Sequence, residues 1–201
     1  MTGHPTTTAP RSRRSRIGPE REAELYDAVL DLLREVGYEG LTMEAVATRT
    51  RCSKATLYRQ WAGKPELVAK ALRHQKPVTL ADIDTGSLRG DFMTLIDRID
   101  DHRMAEDTAL IRGLAYAVHT HPELLAALRR LLIDPEVSGL DTLLARAVER
   151  GEVPPDTPAL DYVAHLMVGA LVTRPLIEGT PADADFLRRY VDSALFPALG
   201  L

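Results

Sequence analysis

The stretch Ser53-Lys54-Ala55-Thr56-Leu57-Tyr58-Arg59-Gln60-Trp61 has the residue types and spacing to read a nucleic acid. At about 100° per residue, Leu57 and Trp61 fall on one side of a two-turn helix, and that side can be buried. Ala55 and Arg59 point the opposite way, with Thr56 and Tyr58 at the edges. The outer surface therefore offers a guanidinium, a phenol, a methyl-bearing hydroxyl and a small gap, groups that suit phosphates and base edges. Ser53 precedes the helix as an N-cap type, its hydroxyl available to an unpaired first-turn amide.

Other chemistry is weakly signalled. Cys52 invites a redox role beside this helix, but a lone cysteine in a turn reads first as a small buried hydrophobe. His102, His119, His121 and His165 do not make a metal pattern, since His119 and His121, two residues apart, face different sides of a helix. Neither a glycine-rich phosphate loop, a nucleophile elbow nor an HExxH pair is present, so no cofactor is implied and catalysis is not expected.

The positioning elements are helical. Residues 1 to 17 form an arm rich in Thr, Pro, Ser and Arg that carries Arg11, Arg13, Arg14 and Arg16, expected to be disordered and able to reach DNA. Leu25, Ala28, Val29, Leu32, Leu33 and Val36 predict an amphipathic helix over 19 to 36, closed by Gly37. Thr42 caps a short second helix, Thr50-Arg51-Cys52 makes the turn, and Lys64-Pro65-Glu66 opens a fourth helix reaching about residue 75. Residues 18 to 76 thus read as a helix-turn-helix domain with a linking fourth helix, and 77 to 201 as a larger helical domain. In the latter, helices are expected near 87–104, 106–119, 122–133, 136–151, 158–178 and 183–198, with breaks that include Pro135 and Pro197. The run Tyr162 to Val172 is apolar nearly all round and needs two partners, its own core and a second subunit.

Charge agrees with this division. The 201 residues carry a net charge of -4, yet residues 1 to 76 hold 14 Lys and Arg against 9 Asp and Glu, and the remainder 11 against 20. The basic excess sits where phosphate would be met. With 45% hydrophobic and 27% charged residues the chain reads as a globular protein. No apolar run of about 18 residues is evident and the leader lacks a signal core, so a cytoplasmic location is expected and a membrane partner is not.

Thr42-Met43-Glu44-Ala45-Val46-Ala47, then SKATLYRQW, then Lys64-Pro65-Glu66-Leu67 closely resembles the DNA-binding domain of TetR-type (tetracycline-repressor-like) transcriptional regulators, over about residues 20 to 72. The phrases GSLRGD, HTHPELLAALR and ARAVERGEVPP resemble a divergent all-helical regulatory domain of that family. The resemblance implies base or groove contacts for Lys54, Ala55 and Thr56 and phosphate contacts for Thr42, Tyr58 and Lys64. Ser53, Arg51 and Arg59 complete the candidate DNA-binding set. The family usually has glycine where Arg51 stands, and a left-handed turn there would cost a residue with a side chain about 1 to 2 kcal/mol.

The fold implied is all-α, and the function a ligand-responsive regulator, a repressor released from double-stranded palindromic DNA by a small molecule. A homodimer follows, because two recognition helices about 34 to 36 Å apart read a palindrome. The resemblance places its interface on the last long helices, with Leu140, Leu144, Val163, Met167 and Leu171 as candidates. Phe92, Ile96, Ile99, Tyr116, His119, Met167 and Thr173 are candidates for an effector pocket, with Arg112 or Arg174 for an acidic group. The alternative is a helical ligand-binding or adaptor protein that does not bind DNA.

Overall fold

Gly18 and Pro19 open the first helix, α1 (Pro19–Gly40), with proline in the first turn where its missing N–H is not needed. The computed structural model describes residues 17–75, 80–99, 110 and 113–201. The basic cluster Arg11 to Arg16, His102 and Arg112 lie outside the described residues. Leu25, Val29, Leu32 and Leu33 are buried as their period requires, joined by Tyr26 and Leu30. Val36 is instead 49% exposed. The regular helix stops there, because Gly37 adopts φ +69°, a left-handed value natural to glycine, and Tyr38 and Leu41 take the buried places beyond it.

Three short helices follow: α2 (Met43–Thr50), α3 (Lys54–Gln60) and α4 (Lys64–His74). Their apolar residues Met43, Val46, Leu57, Trp61, Leu67 and Val68 close on α1 to form one core. That core does not end near residue 76. Leu110, then Leu114 and Ala117 of the helix α6 (113–120), and Leu124, Ala127 and Leu128 of α7 (Pro122–Leu128), belong to the same cluster. The fourth helix is therefore packed on both sides.

A second core gathers α5 (Leu88–Asp97), α8 (Asp134–Glu149), α9 (Val163–Ile177), α10 (Ala184–Tyr190) and α11 (Phe196–Leu199). Phe92 and Phe196 meet edge to face at its centre, 5.9 Å apart. Gly139 of α8 permits the single 3₁₀ turn Leu80–Asp82 to lie against it, since a Cβ there would come within 3.1 Å of the Ala81 amide nitrogen. All regular elements among the described residues are helical.

Two proline positions differ from expectation. Pro135 does not separate two helices: residues 122–149 form one helical run in which Arg129–Ile133 makes a wider π turn just before the proline. The Asp134 amide donates to the Arg129 carbonyl, five residues back, and this loosened ladder accommodates a ring that cannot donate. Pro197 is handled the same way, with the π turn Val191–Leu195 before it and the Phe196 amide bonded to Val191. The run 122–149 joins the two cores, with Leu124 and Leu128 in the first and Leu140, Leu144 and Ala147 in the second. Helix α5 stops at Asp97, earlier than its apolar pattern suggested.

Helix α9, entered through the 3₁₀ turn Pro158–Tyr162, is less covered than a helix of its composition requires. Together they form a 20-residue apolar segment, Pro158–Ile177, longer than the apolar run read from sequence. Val163 and Ala170 are buried, whereas Val168, Leu176 and Ile177 are exposed, Ile177 by 80%.

Candidate nucleic-acid interface

The presenting unit starts at two caps. Thr42 Oγ1 accepts from the Ala45 amide at 3.1 Å and Ser53 Oγ accepts from the Thr56 amide at 3.1 Å, so both short helices begin where their cap residues stand. Between them, α2 ends on Arg51 at φ 51° and ψ 38°, with the Cys52 amide bonded back to the Ala47 carbonyl at 3.0 Å. This is a left-handed helix end of the kind glycine usually forms, built here on arginine. Among the described residues Arg51 is the sole non-glycine with positive φ. From α1, the Arg21 guanidinium donates to the Thr50 carbonyl and ties the turn down.

Helix α3 is anchored from below. Leu57 is fully buried and Trp61 nearly so, its indole N–H donating to the Tyr26 hydroxyl at 3.2 Å, and that hydroxyl in turn donates to Glu22 at 2.7 Å. The rings of Tyr26 and Trp61 meet edge to face. Burial, chiefly, and the Glu22 bond push the Tyr26 phenol well above its usual range, so it acts as a neutral donor. Tyr26 escaped the sequence reading, although it stands three residues before Val29 and seven before Leu33 at the edge of the α1 stripe. Its aromatic, hydroxyl-bearing type near the helix start was the available signal.

The opposite side of α3 is open. Lys54, Ala55, Tyr58 and Arg59 are exposed and Thr56 is half-buried, its hydroxyl 2.8 Å from that of Ser53. Lys54 forms an ion pair with Glu44 in the first turn of α2. That hydrogen bond raises the Lys54 ammonium pKa and holds the Glu44 carboxyl below its usual value. On another edge Arg49 makes a two-pronged contact with Glu35 at 3.1 and 2.7 Å. Cys52 is half-buried against the first core, the placement of a small hydrophobe.

Lys64 has a more interior position than its expected role suggests. Its ammonium donates to the Tyr38 carbonyl at 2.9 Å and lies 4.1 Å from the centre of the Tyr38 ring. The other side of the story is His121, whose ring is edge to face with Tyr38 and whose Nε2 and Nδ1 lie 2.7 Å and 3.2 Å from Glu39 and Glu123. The end of α1, the start of α4 and the start of α7 thus meet at one point.

The candidate effector residues are not brought together as a set. Phe92 and Ile96 are packed in the second core, with Ile99 and Met167 at its margin. Tyr116 and His119 point outward from α6, whose inner face serves the first core instead, and Tyr116 is 73% exposed. Thr173 is exposed and bonds its own helix at Gly169. Arg174 is already engaged: it pairs with Asp183 and Glu178 and lies over the Phe186 ring, so it is not a free receptor for an acid. Of the candidate interface residues, Leu140, Leu144 and Val163 are buried in the protomer's own core. A helix apolar all round gives no sign of which side its own core will claim. Met167 and Leu171 are half-buried.

One cluster was missed. Asp91 is fully buried and accepts from the Thr85 amide and hydroxyl at 2.6 and 2.8 Å, while Arg150 faces Asp84, Asp91 and Glu152, and Arg146 faces Asp84 and the Ile83 carbonyl. Glu152 closes it by accepting from the Leu88 amide at 2.7 Å. The phrases GSLRGD and ARAVERGEVPP are the two halves of this clasp, and HTHPELLAALR supplies His121 and Glu123 to the α1 contact.

The comparisons with known proteins agree with this architecture. Residues 25–71 match the model described as bacterial regulatory proteins, tetR family, and residues 82–194 match the tetracyclin repressor-like C-terminal domain. An uncharacterized HTH-type transcriptional regulator of Mycobacterium tuberculosis strain H37Rv is 33% identical over 99% of this chain and 98% of its own length. A DNA-binding transcriptional repressor TetR of Mycobacteroides abscessus is 35% identical over 89% and 93%. The crystal structure of a TetR family transcription regulator, SCO0332, superposes with a TM-score of 0.67 at 31% identity, covering 90% of this chain and 98% of that one.

Proposed function

The chain belongs to the tetR family of bacterial regulatory proteins, and on that premise we propose that it represses transcription as a homodimer, leaving a palindromic operator when a small molecule binds its helical domain. It is a DNA-binding transcriptional regulator, and the adaptor alternative is set aside by relatives of matching length that carry that function. It acts in the cytoplasm, by binding rather than by catalysis.

The observation that carries the DNA reading is the two-sidedness of α3: Leu57 and Trp61 are sealed in the core while Lys54, Ala55, Tyr58 and Arg59 stand uncovered. Lys54, Ala55 and Thr56 enter the major groove, and Thr42, Arg51, Ser53, Tyr58, Arg59 and Lys64 meet phosphates or flanking edges. Lys64 has three donors and spends one on Tyr38, which leaves it able to bind phosphate.

Dimerisation is supported by α9, an apolar helix on which Val168, Leu176 and Ile177 stand exposed. A second copy packed along this helix would cover apolar surface that its own core leaves open. For the effector, Met93, Ile99, Met167 and Leu171 are half-buried against the second core, and adaptable methionines suit an apolar guest. The run 122–149 then gives a physical route from that core to α4. A ligand releases DNA only if it favours the form that does not bind DNA.

A mobility-shift assay on the DNA flanking the protein's own gene tests this reading. A specific complex at low salt, weakened by Lys54→Ala and by Tyr58→Ala, is the expected result. No complex, or one indifferent to both substitutions, overturns it.

A further inference from the structure

A carboxylate stands in the DNA-facing surface. Glu44 is in the first turn of α2, two residues beyond Thr42, with a side chain 63% exposed, and it is joined to Lys54 at the entrance of α3. Its position among groups that meet phosphates is electrostatically unfavourable for binding any duplex, because it repels the backbone and neutralises the first cation of the recognition helix. Its place at the positive end of α2 and its exposed ion pair with Lys54 each contribute only modestly to stability. Arg49 and Glu35, which are similarly paired, engage no residue of the recognition helix and raise no such conflict.

The pair instead has the pattern of a base reader. An ammonium beside a carboxylate presents a donor next to an acceptor. In the major groove a G·C pair presents the complement: guanine O6 and N7 accept, and the neighbouring cytosine N4 amino group donates. We propose that Glu44 and Lys54 together specify an oriented G·C pair in each operator half-site, Lys54 donating to guanine and Glu44 accepting from cytosine. Thymine offers the ammonium one acceptor where guanine offers two, so G·C is preferred to T·A. Reversal to C·G sets the carboxylate against guanine O6 and is rejected. Glu44 is thereby a specificity-determining residue that weakens binding to DNA in general and restores it at the matching site.

This rests on the DNA-binding reading above, and the test separates the two. Duplexes are selected from a randomised library by the wild type, by Glu44→Gln and by Lys54→Met. The wild type is expected to enrich a palindrome with one oriented G·C pair per half-site. Glu44→Gln, which can donate as well as accept, should enrich the same palindrome while losing at least about fivefold of its preference at that pair. Lys54→Met should lose it too. An unchanged consensus for Glu44→Gln, or a uniform loss of affinity with the same preferences, overturns the proposal and leaves DNA binding intact. Failure of the wild type to enrich any sequence overturns both.

Discussion

His121 Nε2 lies 2.7 Å from Glu39 Oε1, so the start of α7 is joined to the end of α1 beside the Tyr38 ring that Lys64 also contacts. The Glu39 carboxylate is exposed and contributes little by itself. The Tyr38 contact is buried on one side, and an edge-to-face pair of this kind is worth about 1 kcal/mol. His121→Ala should lower stability by roughly that amount in urea unfolding. Glu39→Gln should leave it nearly unchanged.

Arg51 offers a trade of stability for binding. Its left-handed backbone is one that glycine adopts without steric cost. Arg51→Gly should raise stability by about 1 kcal/mol while reducing DNA affinity through loss of a cation beside α3. Thermal unfolding and a binding titration on one preparation check both signs.

Trp61 positions α3 from beneath. Trp61→Ala removes a nearly fully buried indole and should cost about 3 to 5 kcal/mol in denaturant unfolding. Trp61→Phe keeps most of the packing and loses the donor to Tyr26, so it should be milder.

Alkaline pH probes the α1 end. Burial pushes the Tyr38 hydroxyl from 10.0 up to about 12. Between those values the folded chain keeps a proton that the unfolded chain has lost, so this contribution is fully present below pH 10 and is lost as pH rises through about 12. The same hydroxyl is buried without a hydrogen-bond partner. Tyr38→Phe should therefore be at least as stable at neutral pH and show a flatter alkaline decline in thermal melts.

Much of the interface was legible in the sequence because its signals are local. The caps at Thr42 and Ser53, the stop at Gly37 and the burial of Leu57 and Trp61 each follow from residues within a turn or two. Pro135 misled because a π turn can absorb a proline within a continuous helix, and no local residue announces that turn. Leu140, Leu144 and Val163 lie in the protomer's own core, since apolar periodicity marks burial without naming the partner. The His121 contact and the Arg150 clasp join residues more than fifty positions apart, and only the packing of α7 on α4, of α4 on α1 and of α8 on α5 brings them together.

The central claim is that two chains grip one duplex through α3 and its basic surroundings. Fluorescence anisotropy of labelled DNA from the protein's own upstream region, titrated with the intact chain over a range of salt concentrations, tests it most directly. The account predicts two chains per duplex and a log affinity that falls linearly and steeply with log salt. A single chain per duplex, a salt-independent signal, or no binding at low salt would contradict it.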